Sequence, residues 1–229
     1  MPLAFSSLRP RYGARTAIRN SLMALILSAT AATAEPVTIL ALGDSLTAGY
    51  GLPEGQGFVP QLQAWLTARG TDAAIVNAGV SGDTTAGGRA RLDWSLTPEV
   101  DAMLVNLGGN DLLRGIDPKA SRENLEAILS EARVRGLPVL LVGLEAPGNY
   151  GPDFKQAFDG MYRDLAQTHD ADLVTSFFAP LTAQIDDPSA RARLMQPDGI
   201  HPSAEGVALI VQEIGPRVEA LAERARQGS

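Results

Sequence analysis

After residue 35 the chain alternates between two hydrophobic rhythms. Five short runs, Val37–Leu42, Ala73–Asn77, Ala102–Leu107, Val139–Leu144 and Asp172–Val174, are apolar at successive positions rather than at every second one. Runs of that kind predict strands buried on both faces, as in a parallel sheet covered by helices. Between them, apolar residues recur three and four apart. Phe58–Ala68 predicts a helix stopped at Gly70. Asp117-Pro118 predicts an N-cap with proline at the first helical position. Leu125, Ile128, Leu129 and Ala132 line one face of that helix, which ends before Gly136. Phe154–Thr168 predicts another helix. The last runs from Pro202 to about Ala222, with Val207, Ile210, Val211, Ile214, Val218 and Leu221 at helical spacing. Gly215-Pro216 predicts a kink or a break in it. Strand and helix in strict alternation predict an α/β fold: a three-layer α/β/α sandwich around a central, mostly parallel five-stranded sheet.

The first 34 residues follow a different pattern. Arg9, Arg11, Arg15 and Arg19 form a basic region without an acidic residue. The apolar stretch Leu22–Leu27 follows, then Ala32-Thr33-Ala34. This predicts an export signal cleaved after Ala34, leaving residues 35–229 as a single mature domain. The apolar stretch is too short to span a bilayer, so no stable membrane insertion is expected after cleavage. Loss of those arginines takes the basic count from 19 to 15 against 26 acidic residues, a net charge of −11. Such a surface repels phosphate backbones, which argues against nucleic acid as a partner. The chain has no cysteine and only 2 histidines, which removes thiolate chemistry and makes a multi-histidine metal site an unfavourable reading. Export without cysteine fits a bacterial periplasm or exterior. Nothing in the sequence calls for an oligomer, so a monomer is expected.

Loops at the carboxyl ends of parallel strands are where ligands bind in such sheets, and four of them carry chemistry. The first is Gly43-Asp44-Ser45-Leu46, directly after a strand. A serine there is lifted out of the sheet with its own N–H facing what its hydroxyl attacks. The second is Gly79-Val80-Ser81-Gly82-Asp83-Thr84, where glycine lets the backbone approach a ligand closely, although standing alone the loop reads sooner as a plain turn with Thr84 as a helix N-cap. The third, Gly108-Gly109-Asn110-Asp111, suits a carboxamide aimed at a developing oxyanion, or an ordinary Asn/Asp turn. The fourth, Asp198-Gly199-Ile200-His201-Pro202, places an Asp three residues before a His. That Asp can accept from the ring Nδ1–H, leaving Nε2 to take a proton from serine. His169, at the end of a helix, reads as structural, and Asp44 as a turn residue rather than a catalytic acid. Leu112, Leu113, Ile116, Pro147 and Tyr150 lie in loops at the same edge and are candidates for an apolar acyl groove. Ser45 lacks the Gly-x-Ser-x-Gly elbow of the common α/β-hydrolases, and no phosphate-cradling P-loop is present.

Gly43-Asp44-Ser45-Leu46, Gly82, Gly109-Asn110-Asp111 and Asp198-x-x-His201 together resemble the four blocks of the SGNH (GDSL) hydrolases. The likeness covers nearly all of residues 37–220. It is strongest to a periplasmic branch with thioesterase, lysophospholipase and arylesterase activities. The resemblance implies a flavodoxin-like sandwich and a catalytic Ser45, His201 and Asp198. It implies an oxyanion hole made by the N–H groups of Ser45 and Gly82 and the side-chain amide of Asn110. The choice of Gly82 over Gly79 comes from the resemblance alone. It also implies a serine esterase acting on small-molecule acyl esters, thioesters or lysophospholipids, with no metal or organic cofactor. A carbohydrate O-acetyl esterase is the alternative within the enzymes, and a non-catalytic lipid- or glycan-binding protein the alternative outside them.

Overall fold

The computed structural model describes Met1 and residues 35–228. The chain divides into Met1–Glu35 and Pro36–Ser229, and the second unit carries the architecture that follows. The export signal read over residues 1–34 lies, Met1 apart, outside the described residues.

Five strands make one sheet: β1 (Val37–Gly43), β2 (Ala73–Gly79), β3 (Ala102–Asn106), β4 (Val139–Val142) and β5 (Asp172–Val174). Their order is β2-β1-β3-β4-β5 and every neighbouring pair is parallel. The helices are α1 (Ser45–Ala48), α2 (Phe58–Ala68), α3 (Thr85–Ala90), α4 (Leu92–Ser95), α5 (Gly109–Leu113), α6 (Pro118–Val134), α7 (Pro152–His169), α8 (Ala179–Thr182), α9 (Pro188–Leu194) and α10 (Ala204–Gly228). A 3₁₀ turn covers Gly148–Tyr150. α2 packs on α10, and α6 packs on α7 with α3 alongside, which gives the two helical layers.

Burial explains why the strands were readable. Every residue of β3 and β4 is buried, as is all of β1 but Thr38. Such positions favour apolar side chains, because a ladder covered on both faces offers a polar group few partners; Asn106, at the end of β3, is the polar exception and donates through Nδ2 to Val142 O at 3.2 Å. The edge strands differ: Val76 and Asn77 of β2 are exposed and β5 is half-buried. The expected two-sided cover therefore holds for the three central strands only. At the start of α6, Asp117 accepts from the Lys119 N–H at 2.9 Å with Pro118 in the first turn, as the sequence predicts. α10 begins at Ala204, not Pro202. Pro202 instead bridges to Met195, and Ser203 Oγ accepts the Gly206 N–H at 3.2 Å. The helix runs through Pro216 without a break. Ile214, Val218 and Leu221 are fully buried. A Cβ at Gly215 would come 2.8 Å from the Trp65 ring. Packing on both sides of the proline holds the axis through the missing hydrogen bond.

The register sets up the site. Gly43 pairs with Gly79 on one side and with Asn106 on the other. The chain therefore leaves β1, β2 and β3 at one level of the carboxyl edge. Connections depart in opposite directions from β1 and β3, so this is also the topological switch point, where α/β sheets open a crevice.

Candidate active site

Ser45 is the first residue of α1, and Asp44 caps that helix: its Oδ1 accepts the Leu46 N–H at 3.0 Å. Asp44 is only 1% exposed. Burial pushes its carboxyl up to about 6, against the pull of the Leu46 amide and the nearby His201. Asp44 makes no hydrogen bond to His201. This leaves it the turn residue of the sequence reading, with one addition: it is a buried acid beside Ser45.

The Asp198–His201 loop uses both carboxylate oxygens. Oδ1 accepts the N–H groups of Ile200 at 2.9 Å and His201 at 3.0 Å, which folds the loop. Oδ2 lies 2.6 Å from His201 Nδ1. Partial burial alone would raise this carboxyl. The ring and the two backbone N–H groups outweigh it and hold Asp198 down at about 2. With Nδ1 donating to a carboxylate, the other ring nitrogen is the acceptor. That Nε2 is 2.8 Å from Ser45 Oγ. The Tyr50 ring stands against the imidazole, with centroids 4.8 Å apart.

Gly82 lies in a four-residue turn closed by Asp83 N–H to Val80 O at 3.1 Å. Its φ of 89° is what the third position of a type II turn requires, and a side chain there would be strained. Gly79 has a different reason to be glycine: a Cβ would strike the backbone nitrogen of Ala48 at 2.3 Å. The two candidates in this loop thus separate physically, Gly79 by packing against α1 and Gly82 by the turn. Asn110 sits in the first turn of α5 and donates through Nδ2 to Asp83 O at 2.9 Å. The amide carries a second N–H; its contact with Asp44 Oδ2 is at 3.5 Å. The N–H groups of Ser45 and Gly82 donate to no acceptor among the described residues.

An apolar cleft of about 110 Å³ opens beside Ser45, lined among others by Leu46, Leu112, Leu113, Leu144, Phe178 and Ile200. Of the acyl-groove candidates, Leu112 and Leu113 are there. Ile116, Pro147 and Tyr150 do not line it. The Ile116 amide ties back to Asp111 O. Tyr150 packs instead on Phe154, 4.8 Å between rings, and against Gly115. Leu46, Leu144, Phe178 and Ile200 were not read as lining residues. They belong to separate segments, Leu46 in α1 and the others in three different loops, and only the assembled sheet edge brings them together. Gln196 was missed as well: its Nε2 joins the Tyr50 and Pro202 carbonyls at 2.8 and 3.0 Å. His169, read as structural, is remote from this edge, at the far end of α7.

A parallel sandwich with a serine, a glycine turn, an asparagine and a histidine gathered at its switch point is the architecture of the SGNH hydrolases. The chain belongs to the GDSL-like Lipase/Acylhydrolase family, whose model matches residues 41–209. It is 38% identical over 208 residues to Esterase TesA of Pseudomonas aeruginosa, covering 90% of this chain and 99% of that protein. It is 33% identical over 202 residues to Thioesterase 1/protease 1/lysophospholipase L1 of Escherichia coli, covering 87% of this chain and 91% of the relative. Among solved structures, AlinE4, an SGNH-hydrolase family esterase, superposes with a TM-score of 0.66 at 42% identity, over 82% of this chain and 97% of its own.

Proposed function

We propose that this hydrolase is an exported serine esterase that cleaves carboxylic esters, and acyl thioesters or lysophospholipids, through an acyl-enzyme on Ser45. The observation that carries the reading is one line of contacts: Ser45 Oγ to His201 Nε2 at 2.8 Å, and His201 Nδ1 to Asp198 at 2.6 Å. The names of the relatives, an esterase and a thioesterase/lysophospholipase, support the substrate class.

The chemistry follows from those contacts. His201 Nε2 takes the Ser45 proton as Oγ attacks the ester carbonyl, and Asp198 stabilises the resulting imidazolium. The oxygen that gains charge is received by the N–H groups of Ser45 and Gly82 and by the second N–H of Asn110. His201 then gives its proton to the leaving alcohol or thiol. Water, activated by the same Nε2, releases the acid and restores the serine. At about 110 Å³ the cleft is well below the 300–1,000 Å³ typical of sites that enclose a ligand. It holds the first carbons of an acyl chain and leaves the rest to the exposed rim formed by Leu113 and Ile200.

The test is hydrolysis of p-nitrophenyl esters from acetyl to palmitoyl by residues 35–229, with Ser45→Ala and His201→Ala alongside. Serine-dependent turnover of medium or long chains supports the reading, and both variants should be equally damaged because the groups act as a unit. Turnover confined to acetyl favours the carbohydrate O-acetyl esterase instead. No turnover by folded protein favours a binding protein. Export is tested separately: the mature N-terminus in the periplasmic fraction of a bacterial host is expected at Glu35.

A further inference from the structure

The turn that carries Gly82 belongs to no helix or strand, yet its N–H must stand at a fixed distance from that of Ser45. Arg91, just past the end of α3, spans the two. Its Nε is 2.6 Å from Asp83 Oδ2, beside Gly82 in the turn. Its Nη2 donates to the Gly43 carbonyl at 2.9 Å, two residues before Ser45. That same carbonyl accepts the Val80 N–H at 3.0 Å, so strand end and turn meet at one oxygen. The third donor is registered on the same residue, since Asn110 donates to Asp83 O. The Arg91 and Asp83 side chains are 18% and 19% exposed, which shields the pair from the screening that weakens surface ion pairs. A planar guanidinium can address two acceptors at once in a fixed geometry, which an ammonium on a flexible stem does less well.

We infer that Arg91 is a positioning residue: through Asp83 and Gly43 it sets the spacing of the two backbone donors of the oxyanion hole. This rests on the esterase reading above. Arg91 does not line the substrate cleft, so its effect falls on the transition state rather than on ester binding. Oxyanion donors act only within a narrow range of distance, and a displacement of about 1 Å can cost on the order of 10²-fold.

The test compares wild type, Arg91→Met, Arg91→Lys and Ser45→Ala on p-nitrophenyl butyrate, with thermal unfolding followed in parallel. Arg91→Met is expected to lower kcat by roughly 10–100-fold with KM nearly unchanged. Arg91→Lys should recover part of the loss. The pH at half-maximal rate should stay where it is, because the Asp198–His201 pair is not touched. A folded Arg91→Met enzyme with wild-type kcat, or a loss confined to KM, overturns the inference. Where the methionine variant fails to fold, the lysine variant decides in the same way. Turnover that persists in Ser45→Ala overturns the esterase reading and this inference with it, and is told apart because it appears in a protein with Arg91 intact.

Discussion

The side-chain amide of Gln196 donates to the Tyr50 carbonyl at 2.8 Å, across 146 residues of sequence. The same nitrogen reaches Pro202 O at 3.0 Å, and the Gln196 backbone N–H takes the His201 carbonyl at 2.8 Å. One residue thereby fastens the His201 loop to the segment that follows Ser45. Gln196→Ala is expected to lower kcat by about 10-fold while leaving the Asp198–His201 contact intact. Steady-state kinetics on a short p-nitrophenyl ester check it, and an unchanged kcat would show that His201 is held by other means.

On the proposed mechanism, Asn110→Ala removes a donor to charge that exists only in the transition state. It should cost roughly 10²–10³ in kcat with little change in KM. A change in KM alone would make Asn110 a binding residue.

Asp44 lends its pH dependence to stability. Its folded pKa, about 6, lies above the ordinary value of 3.8, so between those values the native state holds the proton more tightly than the unfolded chain. Stability from this group therefore falls as pH rises from about 4 to 6 and stays low above that range. Asp44→Asn should gain on wild type across the same range, by up to about 3 kcal/mol for a shift of some two units. Its kcat should drop, since a negative charge near the imidazolium is lost. Thermal unfolding of both proteins at pH 4 and pH 7 checks the sign: a gain that does not grow with pH would contradict it.

Asp198 has the opposite sign. Its pKa is held at about 2, below the ordinary 3.8, so its contribution is complete above about pH 4 and disappears as pH falls toward 2. Asp198→Asn should thus differ from wild type in unfolding temperature at pH 6 and converge with it at pH 2. A difference that persists at pH 2 would assign the loss to packing.

Asp111 is 1% exposed and accepts from Thr85 N–H at 2.8 Å, Thr85 Oγ1 at 2.5 Å and Ser121 Oγ at 2.8 Å. Truncation to Ala strands those donors, at about 1–3 kcal/mol for each group left unpaired. Urea unfolding should show a loss of about 3 kcal/mol, only part of it recovered by Asn, whose single oxygen replaces one of the two accepting carboxylate oxygens.

What could be read in the sequence follows the range of the forces involved. β1, β3 and β4 were legible because burial on both faces leaves runs that are apolar but for Thr38 and the terminal Asn106, and α2 because its periodicity stops cleanly before Gly70. The one-turn helices α4 and α5 were not: four or five residues are too few to display a period, whereas the start of α3 was marked by Thr84, whose side chain caps it. β2 extends to Gly79, two residues past the reading, since its register with β1 rather than its own composition sets its end. Ser45, Asn110, Asp198 and His201 stand in short motifs that the sequence displays, and the fold brings them to one sheet edge. Arg91 and Gln196 act on backbone carbonyls 48 and 146 residues away, which leave no side-chain signature in the chain.

Asp198 and His201 are three residues apart, and one carboxylate both folds their loop and holds the ring. The acid–base half of the site is thus a prefabricated part, made from contacts too local to depend on the rest of the chain. What the long-range fold must supply is a single docking distance, from Nε2 to an oxygen 156 residues upstream. Drift anywhere in the intervening helices moves the part as one body, and so spoils one length rather than two.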